Sequence, residues 1–301
     1  MKKLFSIVMC FALILVINTT SLAKEDTSLS TIINKFKNMS VDEVLEYSKK
    51  NAKHKMRINE YDMAVAIDNA NNNNERVKQL KADALKLSSL SQVELTRKGY
   101  NESQINSVKT YDGSIELLKG VAGEVEIYLP QHYLKNNIEY KGRIMKTAFA
   151  ITMSFEWVKP PLCKYTDIMA LAWKTTDGSL IFDESNVNVA ITREHITDGQ
   201  HTEYNAYPVS IKVNDNLASV KFPVDLSTNE YPLDVVKKGY FNGILYNPDI
   251  TNTAVQVSWA YGHSIFTIKP SASLSGSKFS ISITPTTFVD TKCDVKTFFV
   301  E

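Results

Sequence analysis

Three things are scarce in this 301-residue chain: cysteine, an excess of either charge, and apolar runs long enough to cross a bilayer. Lysine and arginine total 34 against 33 acidic residues, and neither sign gathers. Lys24 to Gly120 holds sixteen basic and fourteen acidic side chains, and Val121 to Glu301 holds sixteen and nineteen. Nucleic-acid binding rests on a concentrated basic patch that neutralises phosphates, so no nucleic acid is expected as a partner. The chain also lacks a P-loop, a dinucleotide fingerprint, a zinc-protease helix with paired histidines and a serine nucleophile elbow. The commonest catalytic signatures are therefore missing.

What is present begins with the first residues. Lys2 and Lys3 precede an apolar run from Leu4 to Ile17, and Ser21, Leu22 and Ala23 supply the small-residue pattern of a signal-peptidase site. The run falls short of the roughly 20 apolar residues a spanning helix needs. Residues 1–23 are therefore expected to be a signal peptide cleaved after Ala23, with the remainder secreted or extracellular, associated at most non-covalently with the cell surface. No transmembrane segment is expected after that cleavage. Cleavage removes Cys10 and leaves Cys163 and Cys293 as an even pair. In an oxidising compartment the pair can form a disulfide; the alternative is two unrelated small hydrophobes.

The chain changes character near Gly120. Ser40 with Glu43 forms a capping box that predicts a helix from Val41 to about Asn69, its apolar positions recurring at three- and four-residue steps. A further helix, Glu75 to Ser88, should fold back across the asparagine run Asn71 to Asn74. A second capping box at Ser91 and Glu94, a left-handed Gly99 and a cap at Asn101 predict two short helices meeting at a tight corner. Leu95, Tyr100, Ile105 and Val108 would pack across it.

From Arg143 the period becomes two. Phe149, Ile151, Met153, Phe155 and Trp157 share one face, and Asp167 to Trp173 is a nearly continuous apolar run, as in a strand covered on both sides. Further strands are expected at Asn186 to Ile196, His201 to Val213, Ala218 to Val224, Ala254 to Tyr261, Ser264 to Lys269, Lys278 to Thr284 and Val295 to Val300. The fold expected is α+β: a helical N-terminal segment, residues 24–120, followed by an antiparallel β-sandwich of about eight strands, residues 121–301.

Four features carry candidate chemistry. Glu194, His195, Asp198, His201 and Glu203 are the densest cluster of ligand-capable groups. With Asp198-Gly199 as a two-residue turn, Thr197 opposes Gln200, Ile196 opposes His201 and Glu194 opposes Glu203. Facing carboxylates repel, so Glu194, His201 and Glu203 either sit in solvent or hold a cation, Ca²⁺ if carboxylates dominate and Zn²⁺ if the imidazole takes part. No other cofactor is expected. Tyr165, Tyr207, Tyr231, Tyr246 and Tyr261 are expected in loops, beside Asn205, Asn242 and Asn247, as aromatic platforms for a glycan or cell-envelope component; ordinary surface tyrosines are the alternative. Cys163 and His263 are the pair a thiol hydrolase would need, without the usual flanking pattern. Ser271 to Thr287 alternates hydroxyl side chains with Leu274, Phe279, Ile281 and Ile283, the pattern of membrane-inserting hairpins and also of half-exposed surface hairpins. The expectation is an exported, non-enzymatic binding module, with a secreted hydrolase of glycans or peptides and a pore-forming protein as alternatives.

Overall fold

The computed structural model describes residues 35–130, 134–162, 166–197, 200–206, 210–225, 235–264, 271–275, 279–284 and 289–299. The expected signal peptide, Cys163, Tyr165, Tyr207 and Tyr231 lie outside them. The molecule is α+β, its sheets built of antiparallel pairs.

Helices come first. Ser40 caps α1 (Val41–Asn51), its hydroxyl accepting from the Glu43 amide while Glu43 reaches back to the Ser40 amide at 2.7 Å. The expected long helix then fails. Residues Ala52–Asn59 form strand β1, and a new helix α2 (Glu60–Asn71) starts from an Asn59 cap. In Lys55-Met56-Arg57-Ile58 apolar and charged residues alternate, so Met56 and Ile58 enter the core while Lys55 and Arg57 pair with Glu126 and Glu124 on the neighbouring strand. A distant partner strand overrode the local helical period. Helices α3 (Glu75–Ser88), α4 (Gln92–Arg97), α5 (Glu102–Lys109) and α6 (Ile115–Val121) follow. The corner forms as its caps dictate: Gly99 has φ +83°, Asn101 accepts from the Gln104 amide at 2.9 Å, and Leu95, Tyr100, Ile105 and Val108 share one core with α2, α3 and α6.

The strands are β2 (Glu124–Pro130), β3 (Leu134–Tyr140), β4 (Arg143–Lys159), β5 (Thr166–Thr175), β6 (Ile181–Phe182), β7 (Asn188–Thr197), β8 (Gln200–Ala206), β9 (Ser210–Asn214), β10 (Leu217–Pro223), β11 (Val235–Asn247), β12 (Ala254–Ser264), β13 (Ser271–Ser275), β14 (Ser280–Thr284) and β15 (Val289–Phe299). One sheet runs β1-β2-β4-β11-β7-β8, with β3 on β4 and β6 on β11; a second runs β15-β12-β5-β10-β9; β13 and β14 pair with each other. Alternate residues of both large sheets meet in one core, where Phe155 stacks on Phe222 with ring centres 5.0 Å apart and Trp173 stacks on Phe182 at 5.4 Å. The reverse face of β4 is covered too: Ala148 and Ala150 pack with Tyr140, Met145 and Ile244, while α1 lays Val41 and Val44 on Tyr240. Small residues on that face let the covering elements approach.

Strand β11 stands where a loop was expected. Its glycines are there for closeness, because a Cβ at Gly243 would lie 2.5 Å from the Phe182 ring and one at Gly239 would lie 2.8 Å from the Phe155 ring.

Candidate functional site: a cleft backed by a buried charge network

Three ionisable groups from distant parts of the chain meet inside the protein. Glu60 opens α2, Asp167 lies near the start of β5 and His263 near the end of β12, and all three are fully enclosed. His263 Nδ1 is 2.6 Å from Asp167 Oδ1, and its Nε2 is 3.4 Å from Glu60 Oε1. The other carboxylate oxygens are also used. Glu60 Oε2 accepts from the amides of Gly123 at 2.6 Å and Leu162 at 2.9 Å; Asp167 Oδ2 accepts from Tyr261 Oη and from Trp157 Nε1, the latter at 3.3 Å. Burial alone would lower the imidazole pKa, but Asp167 and Glu60 outweigh it and push His263 up to about 10. Burial raises the Glu60 pKa, and His263 with the two amides overcomes that, leaving it below its ordinary value. An imidazolium between two carboxylates, each hydrogen-bonded elsewhere, is the condition under which buried charge is tolerated. These groups fasten α2, β4, β5 and β12 together.

Trp157 joins this network to the surface. Its ring meets His263 edge-on with centroids 4.8 Å apart, and it also lines a cavity of about 650 Å³. The cavity lies between the helical corner, which supplies Tyr100 and Asn101, the end of β4 and the start of β11 with Val235 and Lys237. The corner is pinned there: Tyr100 Oη donates to the Pro161 carbonyl at 3.2 Å, and Gln104 Nε2 to the Pro160 carbonyl at 3.0 Å. Among the described lining residues Glu156 is the one carboxylate, and Lys49 holds it at 2.8 Å. The lining is thus mostly apolar, with Tyr100 and Trp157 each 3% exposed, and it adds the Asn101 amide, the ion-paired Glu156 and Lys237.

The residues expected from sequence fall out as follows. The β7–β8 ladder has the expected register, Glu194 opposite Glu203 and Ile196 opposite His201, with Thr197 opposite Gln200. The side chains of Glu194, His201 and Glu203 lie outside the described residues. Among the described residues no group of three His, Cys, Asp or Glu is placed to hold a metal ion. Tyr246, expected in a loop, lies within a strand, and Tyr261, the expected strand's last residue and a platform candidate, lies inside a strand that runs on to Ser264. Tyr261 is fully buried with its hydroxyl on Asp167, which leaves no ring face for a ligand; Tyr246 is half-buried in β11 against Tyr140, ring centres 5.8 Å apart. Asn242 bonds Thr152 and Asn247 bonds the Ser179 carbonyl, so those amides hold the fold. His263, the expected partner of a Cys163 thiol, faces Asp167 and Glu60 through its two ring nitrogens. Cys293 lies in β15 beside Ala260 by backbone register.

Comparison with known proteins adds little to this geometry. No protein-family model and no curated protein matches the chain. Among solved structures, the manganese lipoxygenase of Gaeumannomyces graminis with a partial zonadhesin of Komagataella pastoris is 11% identical, over 56% of this chain and 45% of that one, with TM-score 0.25. Clostridium perfringens delta-toxin is 8% identical over 58% of this chain and 84% of that one, with TM-score 0.28. AvmM, which catalyses macrocyclization in alchivemycin A biosynthesis, is 9% identical over 54% and 93%, with TM-score 0.22. Likeness at this level identifies no relative.

Proposed function

We propose that the chain is an exported binding protein, its first 23 residues a signal peptide, its two large sheets a β-sandwich behind the helical segment, and its ligand a small glycan or cell-envelope fragment held in the cleft between the helical corner and the sheet. The observation that carries this reading is the 650 Å³ cavity walled by Tyr100, Trp157 and Val235, from units remote in sequence. Its supports are rigid, because Trp157 is anchored on Asp167 and the corner on Pro160 and Pro161. Preorganised walls lose little freedom when a ligand arrives, which favours binding. Glycoside hydrolysis calls for two carboxyl groups flanking the substrate, and the described lining offers Glu156 alone, already paired with Lys49, so binding is the better-supported role.

Val158→Trp tests this by filling the cavity from a half-buried position. Retention on cell-wall and glycan fractions should weaken by at least about tenfold, while the melting temperature stays put. Retention equal to that of the unaltered protein would remove the cleft as the ligand site.

A further inference from the structure

Between β12 and β15 in sequence stand β13 and β14, a hairpin whose described residues pack on the sheet to which β12 and β15 belong. Strands β12 and β15 pair along their whole length, from Ala254 opposite Phe299 to Ser264 opposite Val289. The 24 residues between them, 265–288, contain the second ladder, Ser271 opposite Thr284 to Ser275 opposite Ser280. The two registers differ by an even number of residues, so one continuous ladder could join them with every side chain keeping its face. Instead the hairpin lies over the five-stranded sheet. Ile281 and Ile283, with Ala272 and Phe279 beside them, pack on Ile168, Ala170, Ala172 and Ala260, the face of β5 and β12 turned away from the main core.

The hairpin's other face is chemically uniform. It carries Ser271, Ser273, Ser280, Ser282 and Thr284, and Ser271 and Thr284 touch across the ladder at 3.0 Å. Segment 265–288 has two lysines and no acidic residue, and Pro270 and Pro285, which donate no ladder hydrogen bond, bracket the paired strands in sequence. An apolar stripe backed by hydroxyls alone is the alternation of a strand with lipid on one side and water on the other. A spanning strand needs about 9–11 residues and each paired strand here has five, so insertion must draw in the residues beyond Pro270 and Pro285, where each proline leaves one ladder hydrogen bond unmade. A lone hairpin leaves unpaired backbone groups in lipid, so several copies must close a ring.

We propose that this hairpin is a membrane-inserting element: it leaves its seat, extends the β12–β15 ladder, and with hairpins from other copies of the chain lines a pore, hydroxyl face inward. The activity is independent of the cleft. Its seat holds it by apolar contact, which lipid can replace without loss.

The full mature chain is mixed with phosphatidylcholine vesicles, with and without phosphatidylglycerol, that hold a self-quenching dye. The unaltered protein releases dye. Leu274, on the apolar face yet 37% exposed in the folded protein, becomes Leu274→Glu; folding is undisturbed and release falls by at least about tenfold. Ser273→Glu, on the hydroxyl face, keeps release within about threefold of the unaltered protein. Replacing 265–288 by Asn-Gly, which can close the already paired Ser264 and Val289, abolishes release. No release by the unaltered protein from either vesicle, release undiminished in Leu274→Glu or in the deletion, or equal loss in Ser273→Glu would each overturn the proposal.

Discussion

Each large sheet has its outer face covered by a segment of the same chain, and the two covers are held on by different physics. Helix α1 sits on β4 and β11 through Val41, Val44 and Tyr240, and its rim is tied by Lys238 to Asp42 and by Lys49 to Glu156. The β13–β14 hairpin sits on β5 and β12 through Ile281, Ile283 and small alanines, with hydroxyls on its back. Ion pairs are directional and specify one orientation, whereas apolar contact is non-directional and is indifferent to which apolar phase supplies it. One cover is fixed in place; the other is seated. The buried Glu60–His263–Asp167 group extends the first kind of attachment inside, joining α2 to the strands beneath.

The largest expected effect comes from that group. Asp167→Asn leaves His263 beside one carboxylate and should cost about 3–5 kcal/mol in denaturant unfolding; amide exchange should accelerate in α2 and leave β13–β14 unchanged. Equal acceleration in both would erase the distinction between the two attachments. Next comes pH. His263, raised from 6.5 to about 10, stabilises the fold fully below pH 6.5, and that contribution is lost as pH rises through 10. Glu60, lowered from 4.5, contributes above that value and loses its share as acid protonates it. Melting temperature should therefore fall on both sides of neutrality, and the alkaline fall should vanish in His263→Gln. Ile283→Ala should cost at most about 2–3 kcal/mol, near the low end for a buried isoleucine, and should show as faster exchange confined to β13–β14. Smallest is Lys49→Ala, below about 1 kcal/mol because the lysine is a third exposed and solvent screens the pair.

How far these regions were legible follows from how local their signals are. Helix starts at Ser40, Ser91 and Asn101 are written in residues three apart, and each forms as read. Strand β1 was not legible, because what makes it a strand is β2, with Ile58 opposite Val125. Strand β11 was misread because Gly239, Asn242 and Gly243 resemble loop punctuation, whereas the glycines leave room for Phe155 and Phe182 and the asparagine satisfies Thr152. Of the charge network, Asp167 left a trace as an acid heading an apolar run. Glu60 left none, since it was hidden inside an expected helix. The cleft depends on the corner meeting β4 and β11, a pairing with no signature along the chain.

Strand β1 has one more consequence. It pairs with β2, so helices α2 to α6 occupy the loop of a single antiparallel pair, with their own core around Leu80, Leu95 and Val108. The ends of that loop touch: the Glu60 amide donates to the Gly123 carbonyl at 3.1 Å, and the Gly123 amide to Glu60 Oε2. In engineering terms this is an insertion port, where another cassette with neighbouring termini can be set in provided its first residue keeps the Glu60 carboxylate that His263 meets beneath.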